Sequence, residues 1–246
     1  MRETRILMGM PITVDICGAS GALIEDVFGY LDRIDRRFST YKTDSEISAI
    51  NRGDLPSGGW SNEMIEVLAL AERTKDETGG YFDMRRPDGY LDPSGIVKGW
   101  AIHNAAGLLH AAGAKDFLIE AGGDIQSAGK NASGADWSVG IRNPFDMDQI
   151  IKIIYPRGRG VATSGTYARG QHIYNPHGFD EPITEIVSLT VVGPDVLEAD
   201  RFATAAFAMG RDGIYFIEGI AGLEGYVVDV DGRATLTTGF GDLCSP

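Results

Sequence analysis

Asp200 and Thr204 stand four residues apart in the stretch EADRFATAAFAMG, Glu198 to Gly210. Val196, Ala199, Phe202, Ala203, Ala206, Phe207 and Met209 recur there at helical spacing, so the carboxylate and the hydroxyl share one face of a packed helix. A carboxylate on such a helix needs a cation or several donors, because burying it unpaired is costly. From this stretch alone a metal or ligand role stands beside a structural one. An N-cap is the competing explanation for Asp200. Asp195 in GPDVLEA starts the helix better, with Glu198 three positions on as in a capping box, which puts Asp200 in the second turn. A solvated face stays open as a structural role at this point.

Four further stretches combine small residues with functional groups. LDPSGIVKGWA, Leu91 to Ala101, sets Asp92 before a tight turn and Lys98 near a helix start, where backbone N–H groups and the helix dipole favour phosphate. A plain turn and helix start explain the same pattern. EAGGDIQSAG, Glu120 to Gly129, carries Gly122, Gly123 and Asp124 after a strand, which lets backbone approach a flat or charged ligand or simply makes a hairpin turn. VATSGTYARGQHIYNP, Val161 to Pro176, gathers Thr163, Ser164, Gly165, Thr166 and His172, groups able to hold phosphate, with His172 a base near neutral pH or a structural histidine. FSTYKTDSEIS, Phe38 to Ser48, reads as a loop followed by a short helix begun by Asp44 or Ser45.

The elements that must position these groups follow from apolar periodicity. Ile12, Val14 and Ile16 alternate as a strand, and Leu23, Ile24, Val27, Phe28, Leu31, Ile34 and Phe38 mark an amphipathic helix. A second helix is expected from about Asn62 to Thr78, capped by Ser61 and stopped by Gly79-Gly80, and a third from about Ile96 to Ala112. Apolar runs at 117–119, 137–141, 150–155, 187–192, 226–230 and 234–237 read as short strands. Many short strands with occasional helices indicate an α+β fold. No repeat or linker is evident.

The 246 residues suffice for one large domain or two lobes on a shared core. No segment approaches ~18 uninterrupted apolar residues, so no membrane segment is expected. The N-terminus lacks a long apolar h-region and a lipobox, which predicts a cytoplasmic protein. A net charge of −13 disfavours nucleic acid as a partner. Cys17 and Cys244 form no CxxC pair and suggest one buried thiol and one tail thiol, not a zinc site. VDICGASGALIEDV has the strand-turn-helix order of a dinucleotide fold but only Gly18 and Gly21 of its glycines, so a nicotinamide dehydrogenase is not expected.

Taken together and in order, these stretches resemble the ApbE family of Mg-dependent FAD:protein FMN transferases. The matching segments are Met8-Gly9-Met10 before the first strand, LDRIDRRFSTYKTDSEISAIN at Leu31 to Asn51, TGGYFDM, LDPSGIVKGWAI, LIEAGGDIQSAG, ATSGTY and EADRFATAAFAMG. The resemblance implies an ApbE-like, T-fold-like α+β fold with mixed, largely antiparallel sheets flanked by helices. It implies one domain over residues 1–246, two lobes with FAD between them being the alternative arrangement. Magnesium is then held by Asp200, Thr204 and the Gly95 carbonyl. FAD is contacted by Met8, Tyr81, Phe82, Asp83, Asp92, Lys98, Gly122, Gly123, Asp124, Thr163, Ser164, Gly165, His172 and Ile173. His172 and Asp200 are the catalytic pair, with His172 activating the acceptor. The implied partners are FAD and an acceptor protein whose Thr or Ser hydroxyl receives FMN with release of AMP. An FAD pyrophosphatase giving FMN and AMP, or a non-catalytic FAD-binding protein, remain alternatives. The sequence departs from the family where only RRPDGY separates Met84 from Leu91, and where Asn175 and His177 replace the family's aspartate and arginine. It does not fix an oligomeric state.

Overall fold

A computed structural model describes residues 1–18, 21–166, 173–178 and 182–245. Strands β1 (Arg2–Leu7) and β2 (Met10–Ile16) form a hairpin, followed by helices α1 (Gly21–Phe38), α2 (Glu46–Asn51), α3 (Asn62–Glu77) and α4 (Val97–Ala111). Then come β3 (Phe117–Ala121), β4 (Asp124–Ala128), β5 (Val139–Asn143), β6 (Asp146–Ile154), β7 (Gly160–Gly165) and β8 (Ile186–Gly193). Helices α5 (Val196–Ala208) and α6 (Gly213–Glu218) lead to β9 (Glu224–Asp229) and β10 (Ala234–Leu236).

Eight strands form one sheet in the order β1-β2-β3-β4-β7-β8-β9-β10, and β5-β6 is a separate ribbon inserted between β4 and β7. Every pairing among these strands is antiparallel. The α+β architecture is the one the spacing of apolar runs predicts. The predicted helices are all present, with Ser61 accepting from the Met64 amide and Ser45 from the Ser48 amide as N-caps. Asp195 caps α5 by accepting from the Glu198 amide at 3.0 Å, leaving Asp200 in the second turn.

Three strands and a helix were not expected. β1 precedes the predicted first strand, so Met8-Gly9 is the hairpin turn between β1 and β2, with φ of 53° and 73°. Positive φ at both central positions is the turn whose twist matches a two-residue hairpin, and Gly9 adopts it without strain. RETRIL hides this strand because it is an edge strand with no buried residue, so no apolar face alternates along it. β4 and β7 fall within stretches read mainly for their ligand-binding groups, and α6 is only six residues long. Cys17 is half-buried, as is Cys244, and both thiols are free, which corrects the expectation of one buried thiol.

Helices α4 and α5 are the site's scaffold. Both bury residues around most of their circumference, as helices enclosed between layers must. One apolar cluster joins α1, α3 and α4 to β2 and β3, and a second joins α5 and α6 to β7, β8 and β9. A third lies under the β5-β6 ribbon with Phe240 and Leu243 of the C-terminal segment. No helix among the described residues is long and apolar enough to cross a membrane.

Candidate active site

The α4–α5 contact begins with a glycine. A Cβ built on Gly99 would lie 2.6 Å from Asp200 Cβ, so only glycine allows the helices this approach. The Gly99 amide donates to Asp200 Oδ2 at 2.7 Å. Asp200 is 4% exposed. Burial, and next the neighbouring Asp124 carboxylate, push its pKa up, against the opposing pull of Lys98 and the Gly99 amide.

One turn along α5, the Thr204 hydroxyl donates to the Gly95 carbonyl at 3.2 Å. Gly95 ends a 3-10 turn, Pro93–Gly95, whose cap is Asp92, accepting from the Ser94 amide at 3.1 Å. This turn is clamped from behind by Asn51, which accepts from the Leu91 amide at 2.8 Å and donates to the Leu91 carbonyl at 2.9 Å. A Cβ on Gly95 would meet Phe82 and Thr204 side-chain carbons at 3.1 Å.

Asp92, Ser94, Gly95, Asp200 and Thr204 line one open cleft. Of the residues expected at the site, Tyr81, Phe82, Asp83, Asp92, Gly95, Lys98, Gly122, Thr163, Ser164, Gly165, Ile173, Asp200 and Thr204 line it. Met8 lines a second, adjoining cleft with Phe38, Tyr41 and Lys42. Asp92, Ser94 and Lys98 border both clefts, so a ligand longer than one cleft has a continuous wall to follow. Gly123 lies at the β3-β4 turn, its amide donating to Glu120 Oε1 at 3.1 Å, and is not a lining residue. Asp124 is fully buried behind the wall. His172 lies outside the described residues.

The cleft's upper wall is tied together by residues that the sequence alone did not single out for this purpose. Tyr174 donates its hydroxyl to the Asp83 carbonyl at 2.8 Å. Burial pushes that phenol up to about 12, so it remains a donor at neutral pH. His177 packs edge-on against Tyr81 at 4.6 Å between ring centres, with Nε2 3.0 Å from the Gly79 carbonyl. The Asp83 carboxylate pairs with Lys75 at 2.7 Å. The shortened segment between Met84 and Leu91 folds back as a small antiparallel bridge, Arg85 to Leu91, with the Asp92 amide donating to the Met84 carbonyl at 2.9 Å.

The donor set fits magnesium. Gly95 carbonyl, Thr204 hydroxyl and Asp200 carboxylate are all hard oxygens facing one cleft, and the cation takes such ligands together with substrate oxygens or water. With both carboxylates ionised, Asp124, Asp200 and Lys98 together carry one excess negative charge in a buried setting, which a cation offsets. No group of three or more His, Cys, Asp or Glu among the described residues could hold a metal.

The ApbE family model matches residues 8–86 and 84–227. The chain belongs to the ApbE family. It is 31% identical over 278 residues to an FAD:protein FMN transferase of Klebsiella pneumoniae, covering 88% of this chain and 79% of that protein. It is 29% identical over 166 residues to the Escherichia coli K12 protein of the same name, a match spanning 64% of this chain and 47% of that relative. Among solved structures, the flavin transferase ApbE from Vibrio cholerae superposes with a TM-score of 0.85 at 24% identity, covering 99% of this chain and 98% of that one. The ApbE protein of Thermotoga maritima gives 0.85 at 21% identity, covering 100% and 99%. These two show that the chain has the ApbE fold.

Proposed function

We propose that this ApbE-family chain is a Mg-dependent FAD:protein FMN transferase, moving FMN from FAD to a Thr or Ser hydroxyl of an acceptor protein with release of AMP. The observation that carries the reading is the meeting of Asp200, Thr204 and Gly95 beside Lys98 in one cleft. The names of the relatives support it.

In the reaction, the acceptor oxygen bonds to the FMN-side phosphorus while the bridging oxygen leaves with AMP. Such transfer asks chiefly for positioning and charge neutralisation. Lys98, near the start of α4, faces the diphosphate. Tyr81, Phe82 and Ile173 supply apolar contact to flat rings, and the end of β7 at Thr163, Ser164 and Gly165 borders the ligand. Met8 contributes from the adjoining cleft, where the other end of FAD extends. His172 takes the acceptor proton as general base. Magnesium, when bound by Asp200, Thr204 and Gly95, adds positive charge against the phosphate oxygens.

AMP release from FAD and Mg tests the reading, with and without an acceptor bearing an exposed threonine. The transferase reading expects AMP to rise with acceptor and to vanish in Asp200→Ala. AMP with only free FMN indicates a pyrophosphatase, and FAD bound intact for hours indicates a binding protein.

A further inference from the structure

Asp124 does not line the cleft, yet it touches three of the elements that do. It follows the Gly122-Gly123 turn at the start of β4 and is 0% exposed. Its Oδ1 accepts from the Thr163 amide on β7 at 3.1 Å, and its Oδ2 pairs with Lys98 Nζ on α4 at 2.6 Å. Lys98 is itself only 7% exposed, and the Asp200 carboxylate on α5 is close enough to both to feel their charge. Four elements, β4, β7, α4 and α5, therefore meet at one carboxylate.

Charge counting sharpens the question. Removing a negative group near an anionic ligand should tighten binding of that ligand, so a carboxylate behind a phosphate-facing lysine is unfavourable unless it does something else. A lysine stem has four rotatable carbons and its ammonium has no built-in direction. With Asp124 neutralised, the ammonium loses a carboxylate 2.6 Å away, and the pull of the nearby Asp200, the group assigned to the metal, is no longer balanced. Asp124 holds Lys98, a residue of the wall shared by both clefts.

We propose that Asp124 is a positioning residue for the flavin-nucleotide reaction: by anchoring Lys98 Nζ and the Thr163 amide, it aims the ammonium at the ligand's phosphates and keeps it from collapsing onto Asp200. The proposal rests on the flavin-transferase reading for the identity of the ligand. Its contacts to Lys98 and Thr163 do not.

The test is a double-mutant cycle of Asp124→Asn and Lys98→Met, chosen because both are near-isosteric and because coupled residues fail to add. FAD affinity is read in Mg by flavin fluorescence. Asp124→Asn is expected to weaken FAD binding at least fivefold in the wild-type background and less than twofold in the Lys98→Met background. Unchanged or tighter binding in Asp124→Asn, or equal weakening in both backgrounds, overturns the proposal. Unfolding by urea supplies the arm that needs no ligand. Lys98→Met should destabilise the wild-type chain more than it destabilises Asp124→Asn, because only the former is left with two buried carboxylates and no ammonium. Equal losses show that the pair is not coupled and overturn the anchoring. A wild-type chain that binds no FAD removes the transferase reading instead, and the unfolding arm still decides the anchoring. Should Asp124→Asn fail to fold, Asp124→Glu keeps the charge but displaces it, and the same cycle applies.

Discussion

In the proposed reaction the chemistry turns on Asp200, a carboxylate whose burial two neighbours offset. The Gly99 amide donates to one oxygen and Lys98 supplies opposite charge, against the push of burial and of Asp124. Asp200→Ala removes the one carboxylate of the Gly95-Asp200-Thr204 set and is expected to lower AMP release from FAD by about 100-fold or more, the scale of several kcal/mol that metal-linked charge stabilisation supplies. Turnover within twofold of wild type in a coupled AMP assay would move the metal elsewhere. Gly99 gives an independent check on the same geometry. Gly99→Ala should destabilise the chain by about 1–3 kcal/mol in urea unfolding, because the new methyl group meets Asp200 and the Val196 carbonyl. Loss below 0.5 kcal/mol, about the noise of a surface change, would show that the helices can part without strain. The place of Asp200 past a better cap was legible in the sequence. The role of Gly99 was not, because a glycine inside a helical pattern announces a close approach without saying to what.

At the scale of elements, α5 is held at both its start and its middle. Asp195 caps its first turn and also meets His103 of α4, Nδ1 to Oδ1 at 3.5 Å. The pair raises the His103 pKa through the Asp195 hydrogen bond, while for Asp195 the upward push of burial is outweighed by His103 and the Glu198 amide, leaving it lowered. A raised histidine stabilises fully below its unfolded value of about 6.5 and loses that contribution as pH rises through its folded value, whereas the lowered Asp195 loses its share as pH falls below about 4. The contribution therefore peaks between them. His103→Ala should cost a few tenths of a kcal/mol near pH 5.5, as for a half-exposed pair, and nothing at pH 9. An equal cost at both pH values would assign the loss to packing. Asp195→Ala, which removes the cap as well, should cost about 1 kcal/mol at neutral pH.

In mid-helix, Arg201 reaches α3, pairing with Glu77 and, at 2.6 Å, with Glu198, and its guanidinium lies 4.1 Å from the Phe202 ring centre. Caps and helix spans were readable in the sequence because they are local: Ser45, Ser61 and Asp195 each sit next to the amides they satisfy. The Arg201 tie, the Asn51 clamp on Leu91 and the His177–Tyr81 contact join residues tens of positions apart, and single-sequence periodicity carries no information about such pairs.

The whole molecule arranges eight antiparallel strands in near-sequential order, and the ligand-facing loops collect where the β3-β4 turn, the end of β7 and the start of α4 converge. The strands the sequence left unread, β1, β4 and β7, lack a clear apolar alternation: β1 is an exposed edge, and β7 is built of small and hydroxyl-bearing residues, the last three of which line the cleft. The functional stretches were thus easier to recognise than the strands that carry them. A chain of net charge −13 that binds an anionic dinucleotide should depend on its cation as a whole, not only at the active residues. Mg and FAD together are expected to raise the melting temperature, by about 2.7 kcal/mol of added stability at 100 times the Kd, and the rise should disappear with EDTA or in Asp200→Ala. A shift that survives chelation would separate flavin binding from the metal.

The most direct measurement is the intact mass of an acceptor protein with an exposed threonine after incubation with this chain, FAD and Mg, alongside the AMP formed. The transferase account predicts one added FMN per acceptor, matched by AMP and absent when that threonine is replaced by alanine. An acceptor of unchanged mass, after turnover in which the same chain has released AMP and free FMN, would contradict it.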